Sequence, residues 1–204
     1  MSNSARFRDF IARFSALIDR HAADEAGIFA AGAPLLAELV QHDDWLPAEF
    51  AKDSPDSYRQ YLLYCDPQER FSVVSFVWGP GQKTPVHDHT VWGMVGVLRG
   101  AELCEEYAAP KPGEAMRRAG AHRVTPGGVD RVSPTVGDIH VVSNALPDRP
   151  SISIHVYGAN IGAVARHVFD PACGRAAPFV SGYHNSVLPN FWDRSAEVRA
   201  SLPG

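Results

Sequence analysis

From about Tyr58 onward the chain is built from short runs of aromatic and β-branched residues broken by glycine and proline. This feature constrains the fold more than any other. Residues 71–78 (FSVVSFVW) end at Gly79-Pro80-Gly81, and further strand candidates are 61–64, 94–98, 102–107, 139–144 and 151–157. Turns fall at Gly100, Pro110-Lys111-Pro112-Gly113, Pro126-Gly127-Gly128 and Pro147. Short strands with no helical period between them predict an antiparallel sandwich or barrel and argue against a doubly wound parallel sheet. The 17 glycines and 16 prolines among 204 residues are a mild excess. It suits many tight turns and is too small for a collagen or a disordered chain.

The first fifty residues carry a different pattern. Phe7, Phe10, Ile11, Phe14, Leu17 and Ile18 recur at three- and four-residue intervals, which puts one apolar stripe on a helix. Leu35, Leu36, Leu39 and Val40 repeat it after Pro34, and Pro47 is placed to start a third short helix. The expectation is a helical segment over 1–50 packed outside a β domain over 51–204, as one structural unit. The tail from Phe179 is expected to be irregular and to fold back on the barrel.

Charge narrows the function classes. Nineteen Lys and Arg against 23 Asp and Glu give a net charge of −4, so no basic surface is available to follow phosphates and nucleic acid is not an expected partner. Cys65, Cys104 and Cys173 form no CxxC, which argues against a disulfide framework or a thiolate zinc site and fits a reducing compartment. Arg6, Arg8, Asp9 and Arg13 interrupt the N-terminal region, and no window approaches ~18 apolar residues. A cytoplasmic protein without a membrane partner is expected, either monomeric or a small homo-oligomer.

Among nine histidines, His87 and His89 stand out in TPVHDHT. Alternate residues of an extended segment point to one face, so the two imidazoles converge. His140, in GDIHVVSN, lies on a later strand candidate. Glycines frame both segments: Gly81, five residues, His87, one, His89, three, Gly93, six, Gly100; then Gly128, five, Pro134, two, Gly137, two, His140, three, Asn144. These resemble the two cupin motifs, with one extra residue between Pro134 and Gly137. The resemblance implies a mainly β jelly-roll barrel. In most cupins the position matching Gly93 is a glutamate ligand; its absence leaves His87, His89 and His140. Three neutral imidazoles leave a divalent ion its full charge and open positions for anionic ligands, a thiolate among them. Zinc also accepts three histidines, so the ligand set does not by itself choose the metal.

Ser153, His155 and Tyr157 alternate within SISIHVY and share one strand face. A hydroxyl, an imidazole and a phenol in a row suit a hydrogen-bonded relay. The same stripe could be barrel interior with satisfied polar groups. A Ser–His nucleophile pair is disfavoured, since no glycine-framed elbow is present.

With PVHDHTVWG, GDIHVVSN and SISIHVYG in this order, the sequence resembles the cysteine dioxygenase family of cupins, the non-haem iron thiol dioxygenases, over roughly 58–183. The resemblance implies Fe(II) on His87, His89 and His140, and an outer-sphere triad of Ser153, His155 and Tyr157. It implies oxidation of a small thiol by O2 to the sulfinate, a step of sulfur amino-acid metabolism. Vertebrate members carry a cysteine, crosslinked to the tyrosine matching Tyr157, where this chain has Gly93, so Tyr157 is expected to stay a free phenol. Gln60 stands where cysteine-specific members place a carboxylate-binding arginine. That looks like the bacterial 3-mercaptopropionate dioxygenase branch, which also has an arginine matching Arg166. Gln60, Arg166 and Tyr58 are therefore the candidate substrate contacts, although a surface ion pair with Asp170 would account for Arg166 equally well. Tyr61 and Trp92 are further candidates for the pocket wall, Trp78 and Trp92 are expected in the barrel core, and His21, His42, His122, His167 and His184 attract no role. Two other classes compete: a non-redox metal-dependent cupin isomerase or hydratase, and a non-catalytic small-molecule-binding cupin.

Overall fold

The computed structural model describes residues 3–111 and 113–200; Pro112 of the expected turn and the first two and last four residues lie outside them. Two helices, α1 (Ser4–His21) and α2 (Glu25–Val40), precede a four-residue 3-10 turn, Ala48–Ala51. Eleven strands follow among the described residues: β1 (Arg59–Cys65), β2 (Ser72–Trp78), β3 (Val86–His87), β4 (Gly93–Arg99), β5 (Glu102–Tyr107), β6 (Arg118–Val124), β7 (Val129–Val132), β8 (His140–Asn144), β9 (Ser151–Tyr157), β10 (Arg166–Phe169) and β11 (Ala176–Phe179). A short α3 (Ser195–Ala200) comes last.

The strands form two antiparallel sheets, ordered β1-β2-β9-β4-β7 and β11-β10-β3-β8-β5-β6. Facing each other, they make the two layers of a cupin jelly-roll, the mainly β fold expected. The helices cover the outer face of the five-stranded sheet. Phe7, Phe14, Leu17, Ile28 and Leu36 share one buried cluster with Val73, Met94, Ile152, Ile154 and Val156. The close approach depends on Gly96, where an added Cβ would come within 2.9 Å of the Leu36 side chain.

One expectation needs correction. Helix α2 begins ten residues before Leu35, because the Asp24 side chain accepts the Gly27 N–H (3.0 Å) and caps it. Pro34 therefore lies inside this helix; burial of Ile28 and Phe29 before it and Leu36 after it outweighs the lost backbone bond. Pro47 does precede a short helix, of the 3-10 type, at Ala48–Ala51. Strands β3, β6, β7, β10 and β11 carry too little apolar alternation to be read locally, and partners distant in sequence hold them. The tail packs back on the barrel as expected, Asn185 bonding both backbone groups of Leu62 on β1, and beyond it Phe191 lies 4.2 Å from Phe7 of α1, ring to ring. No described helix is long and apolar enough to cross a membrane.

Candidate functional site

Three imidazoles meet between the sheets. His87 on β3 is directly opposite His140 on β8, and His89 follows just beyond β3. The ring centroids stand 4.8, 4.8 and 4.9 Å apart, and all three rings are buried. Each Nδ1 is engaged on the far side of its ring: His87 with Pro85 O (3.2 Å), His89 with Asp138 Oδ1 (2.9 Å), His140 with Cys104 Sγ (3.4 Å). An Nδ1–H donated outward leaves each Nε2 lone pair free, the usual arrangement for imidazoles that bind metal. Asp138 also accepts the backbone N–H groups of His89 (3.0 Å) and Thr90 (2.9 Å), which fixes the turn that aims His89. Burial and the neighbouring rings hold two of the three neutral: His87 is pushed down to about 3 and His140 well below the ordinary range. Three imidazole nitrogens anchored from behind fit a divalent ion.

A second described cluster, Cys104, His122 and Asp130, also brings potential ligands together. There both His122 nitrogens face carboxylates, Asp130 at 2.7 Å and Glu106 at 3.5 Å, and Cys104 faces His140. It is a hydrogen-bonded group that runs from the partly exposed His122 to the buried Cys104 and backs the triad.

On β9, His155 and Tyr157 line the cavity and Ser153 stands behind His155. Ser153 Oγ lies 2.7 Å from His155 Nε2, and His155 Nδ1 lies 2.7 Å from Tyr157 Oη. The Trp78 indole donates to Ser153 Oγ (3.2 Å), and Phe76 stacks on His155 at 4.1 Å. The Tyr157 ring stacks on His89 at 5.4 Å, which brings the inner end of the chain to the histidine cluster. Burial holds His155 neutral and pushes the Tyr157 phenol up. Gly93 pairs with Tyr157 across β4 and β9, and a Cβ at 93 would fall 2.8 Å from the Tyr157 ring. The tyrosine occupies the space a glutamate or cysteine at 93 would need.

One cavity of about 160 Å³ joins these groups to Tyr58, Gln60 and Arg166. Arg166, 4% exposed, opens β10 with its guanidinium over the Phe179 ring at 4.7 Å. It forms no pair with Asp170, whose carboxylate takes Arg175 instead (3.8 Å). Arg166 Nη2 donates to Ser181 Oγ (2.8 Å), and its buried Nε has no partner. Gln60 commits both amide protons to the protein, to Ser181 Oγ (3.1 Å) and Gly182 O (2.9 Å). Gln60 and Arg166 thus meet on one serine. Tyr58 packs against Trp78 at 4.7 Å.

The structure therefore brings all nine sequence-selected residues to one cavity wall or the chain behind it. Tyr61 and Trp92 do not line it: the Tyr61 hydroxyl donates to Lys52 O (2.9 Å), and Trp92 packs on Phe14 and Phe29. Trp78 is core and cavity wall at once. Sequence reasoning missed Asp138, Cys104 and Ser181. Asp138 had a signal, two residues before His140 in GDIH, whereas Ser181 sits in the irregular tail and had none.

The family model described as "Cysteine dioxygenase type I" matches residues 4–170. A curated cysteine dioxygenase type 1 of Danio rerio is 24% identical over 157 residues, covering 76% of this chain and 71% of that protein. Among solved structures, a Thermus thermophilus protein is 19% identical over 55% of this chain and 92% of its own, with a TM-score of 0.43. A Klebsiella pneumoniae protein with a double-stranded β-helix domain is also 19% identical, over 59% of this chain and 95% of its own, with a TM-score of 0.43.

Proposed function

We propose that this chain, which belongs to the cysteine dioxygenase type I family, is an iron(II) thiol dioxygenase that oxidises a small thiol-carboxylate with O2 to the sulfinate. His87, His89 and His140 would hold the iron, and Tyr157, backed by His155 and Ser153, would lie beside the ligand set. When bound there, iron(II) supplies the redox chemistry and favours the thiolate over the thiol.

The chain's own residues do the rest. The observation that carries the reading is one cavity lined both by the three clustered histidines and by the buried Arg166, which has no carboxylate partner and keeps an unpartnered Nε. Arg166 can donate a charged hydrogen bond to a carboxylate and thereby orient the thiol toward the histidines. Phe76, Trp78 and Val142 exclude water from that path. Tyr157, kept a neutral phenol by burial and oriented through His155 and Ser153, holds a proton at Oη beside His89.

The same cavity favours 3-mercaptopropionate over cysteine. Among the described residues no carboxylate lines it, so an α-ammonium would lose its water near Arg166 without a counter-charge. Gln60, with both donors spent on the loop after β11, supports Arg166 through Ser181. Purified protein loaded with iron should consume O2 with 3-mercaptopropionate most efficiently, then cysteine, and least with cysteamine, which has no carboxylate. Absence of thiol-dependent uptake, or retention of zinc alone with O2-independent turnover, would overturn the proposal.

A further inference from the structure

Glu102 opens β5 just after the turn at Gly100. It is 2% exposed, yet neither carboxyl oxygen has a hydrogen-bond partner, and the same is true of the Ser151 hydroxyl on β9. Buried ionisable groups in native proteins are normally paired, so an orphan calls for an explanation. The polar groups close enough to act on its proton are the Ser153 hydroxyl and the Trp78 indole, which are bonded to each other. The titratable groups that feel its charge are Cys104 on its own strand and, on β9, Tyr157. Its neighbours on β6 and β8 are Val124 and Asn144. No cation among the described residues offsets a charge there.

We propose that Glu102 is the fourth member of the Ser153–His155–Tyr157 chain, a positioning residue at its outer end whose proton sets the direction in which the chain donates. With Glu102 protonated, its O–H points to Ser153 Oγ, Ser153 O–H to His155 Nε2, His155 Nδ1–H to Tyr157 Oη, and Tyr157 O–H into the cavity. One hop at each bond passes the Tyr157 proton to a base in the cavity and leaves Glu102 a carboxylate. Three protons then remain on the chain, one having been delivered, and each bond runs the other way. Tyr157 now donates to His155 Nδ1 and offers the cavity a lone pair. Burial pushes the Glu102 carboxyl up to about 8, so the acid form is the resting one at neutral pH. The use made of this proton rests on the dioxygenase reading; the four-member chain does not.

Infrared spectroscopy of the purified protein tests the chain without turnover. A protonated-carboxyl C=O band should be present at neutral pH, disappear as pH rises through about 8, be missing from Glu102→Gln, and shift in frequency in Ser153→Ala, where Glu102 is intact. No such band, or one that Ser153→Ala leaves unmoved, would overturn the proposal. In iron-loaded enzyme with 3-mercaptopropionate, Glu102→Gln should lower kcat by about 10²-fold, leave KM nearly unchanged, and remove the alkaline limb of the pH profile. Wild-type kcat and the same limb in Glu102→Gln would refute a part for Glu102 in the reaction. If the band behaves as expected but wild type consumes no O2 with any thiol, the dioxygenase reading fails and the four-member chain stands.

Discussion

The two ends of the cavity are built on opposite plans. At the histidine end each side chain is held from behind by an acceptor, Pro85 O, Asp138 Oδ1 or Cys104 Sγ, and burial keeps His87 and His140 neutral. At the arginine end one buried guanidinium is held from the side by Ser181, beneath Gln60, with Phe179 under its face and no described carboxylate within ion-pairing distance. One end is a set of lone pairs awaiting a cation, the other a cation awaiting an anion. A substrate carrying a thiol at one end and a carboxylate at the other would answer both. That polarity would orient it, because a reversed substrate would set its carboxylate against the histidine end and leave Arg166 unpaired.

The comparison can be tested by damaging each end in turn. Replacing His140 by alanine should abolish iron retention, read as metal content after desalting; iron held at one equivalent would remove His140 from the ligand set. Arg166→Ala should raise KM for 3-mercaptopropionate by about 10²-fold, as for a truncated charged partner, while cysteamine is unaffected. Equal losses for both thiols would mean Arg166 supports the fold and not the carboxylate. Asp138→Ala should weaken iron binding by about tenfold or more with KM for the carboxylate unchanged. Competition with a chelator measures the first effect, and an unaltered affinity would show that the backing bonds are incidental. Ser181→Ala should raise KM only a few-fold, the loss of one ordinary hydrogen bond of about 1 kcal/mol. A loss as large as that of Arg166→Ala would place Ser181 itself on the substrate.

The two ends also differed in how far they could be read beforehand. His87, His89 and His140 sit in glycine-framed motifs whose local spacing survives folding, and Ser153, His155 and Tyr157 declare their common face through strand alternation alone. Arg166 was balanced against an ion pair with Asp170 because a four-residue strand, β10, gives no facing signal of its own; pairing with β3 and β11 turns the arginine inward. Tyr61, a further wall candidate, lies off the cavity because aromatic character does not reveal which sheet face a ring occupies, whereas Trp92 packs against the core as expected. Pro34 misled for a related reason: a proline reads as a helix start, and burial on both sides of it overruled that reading.

Sequence by itself determined what depends on near neighbours: the strand-rich jelly-roll, the helical stripe of α1, the histidine spacing, and the missing side chain at Gly93. These follow from periods of two and of about 3.6 residues, which act within a few residues of chain. Only the tertiary structure decided what depends on groups far apart in sequence. Ser181 joins Gln60 and Arg166 across 121 and 15 residues, Asp138 closes on His89 from 49 residues away, and Trp78 meets Ser153 across 75. Charge and hydrogen bonding act through space, so their partners appear only once the sheets have closed.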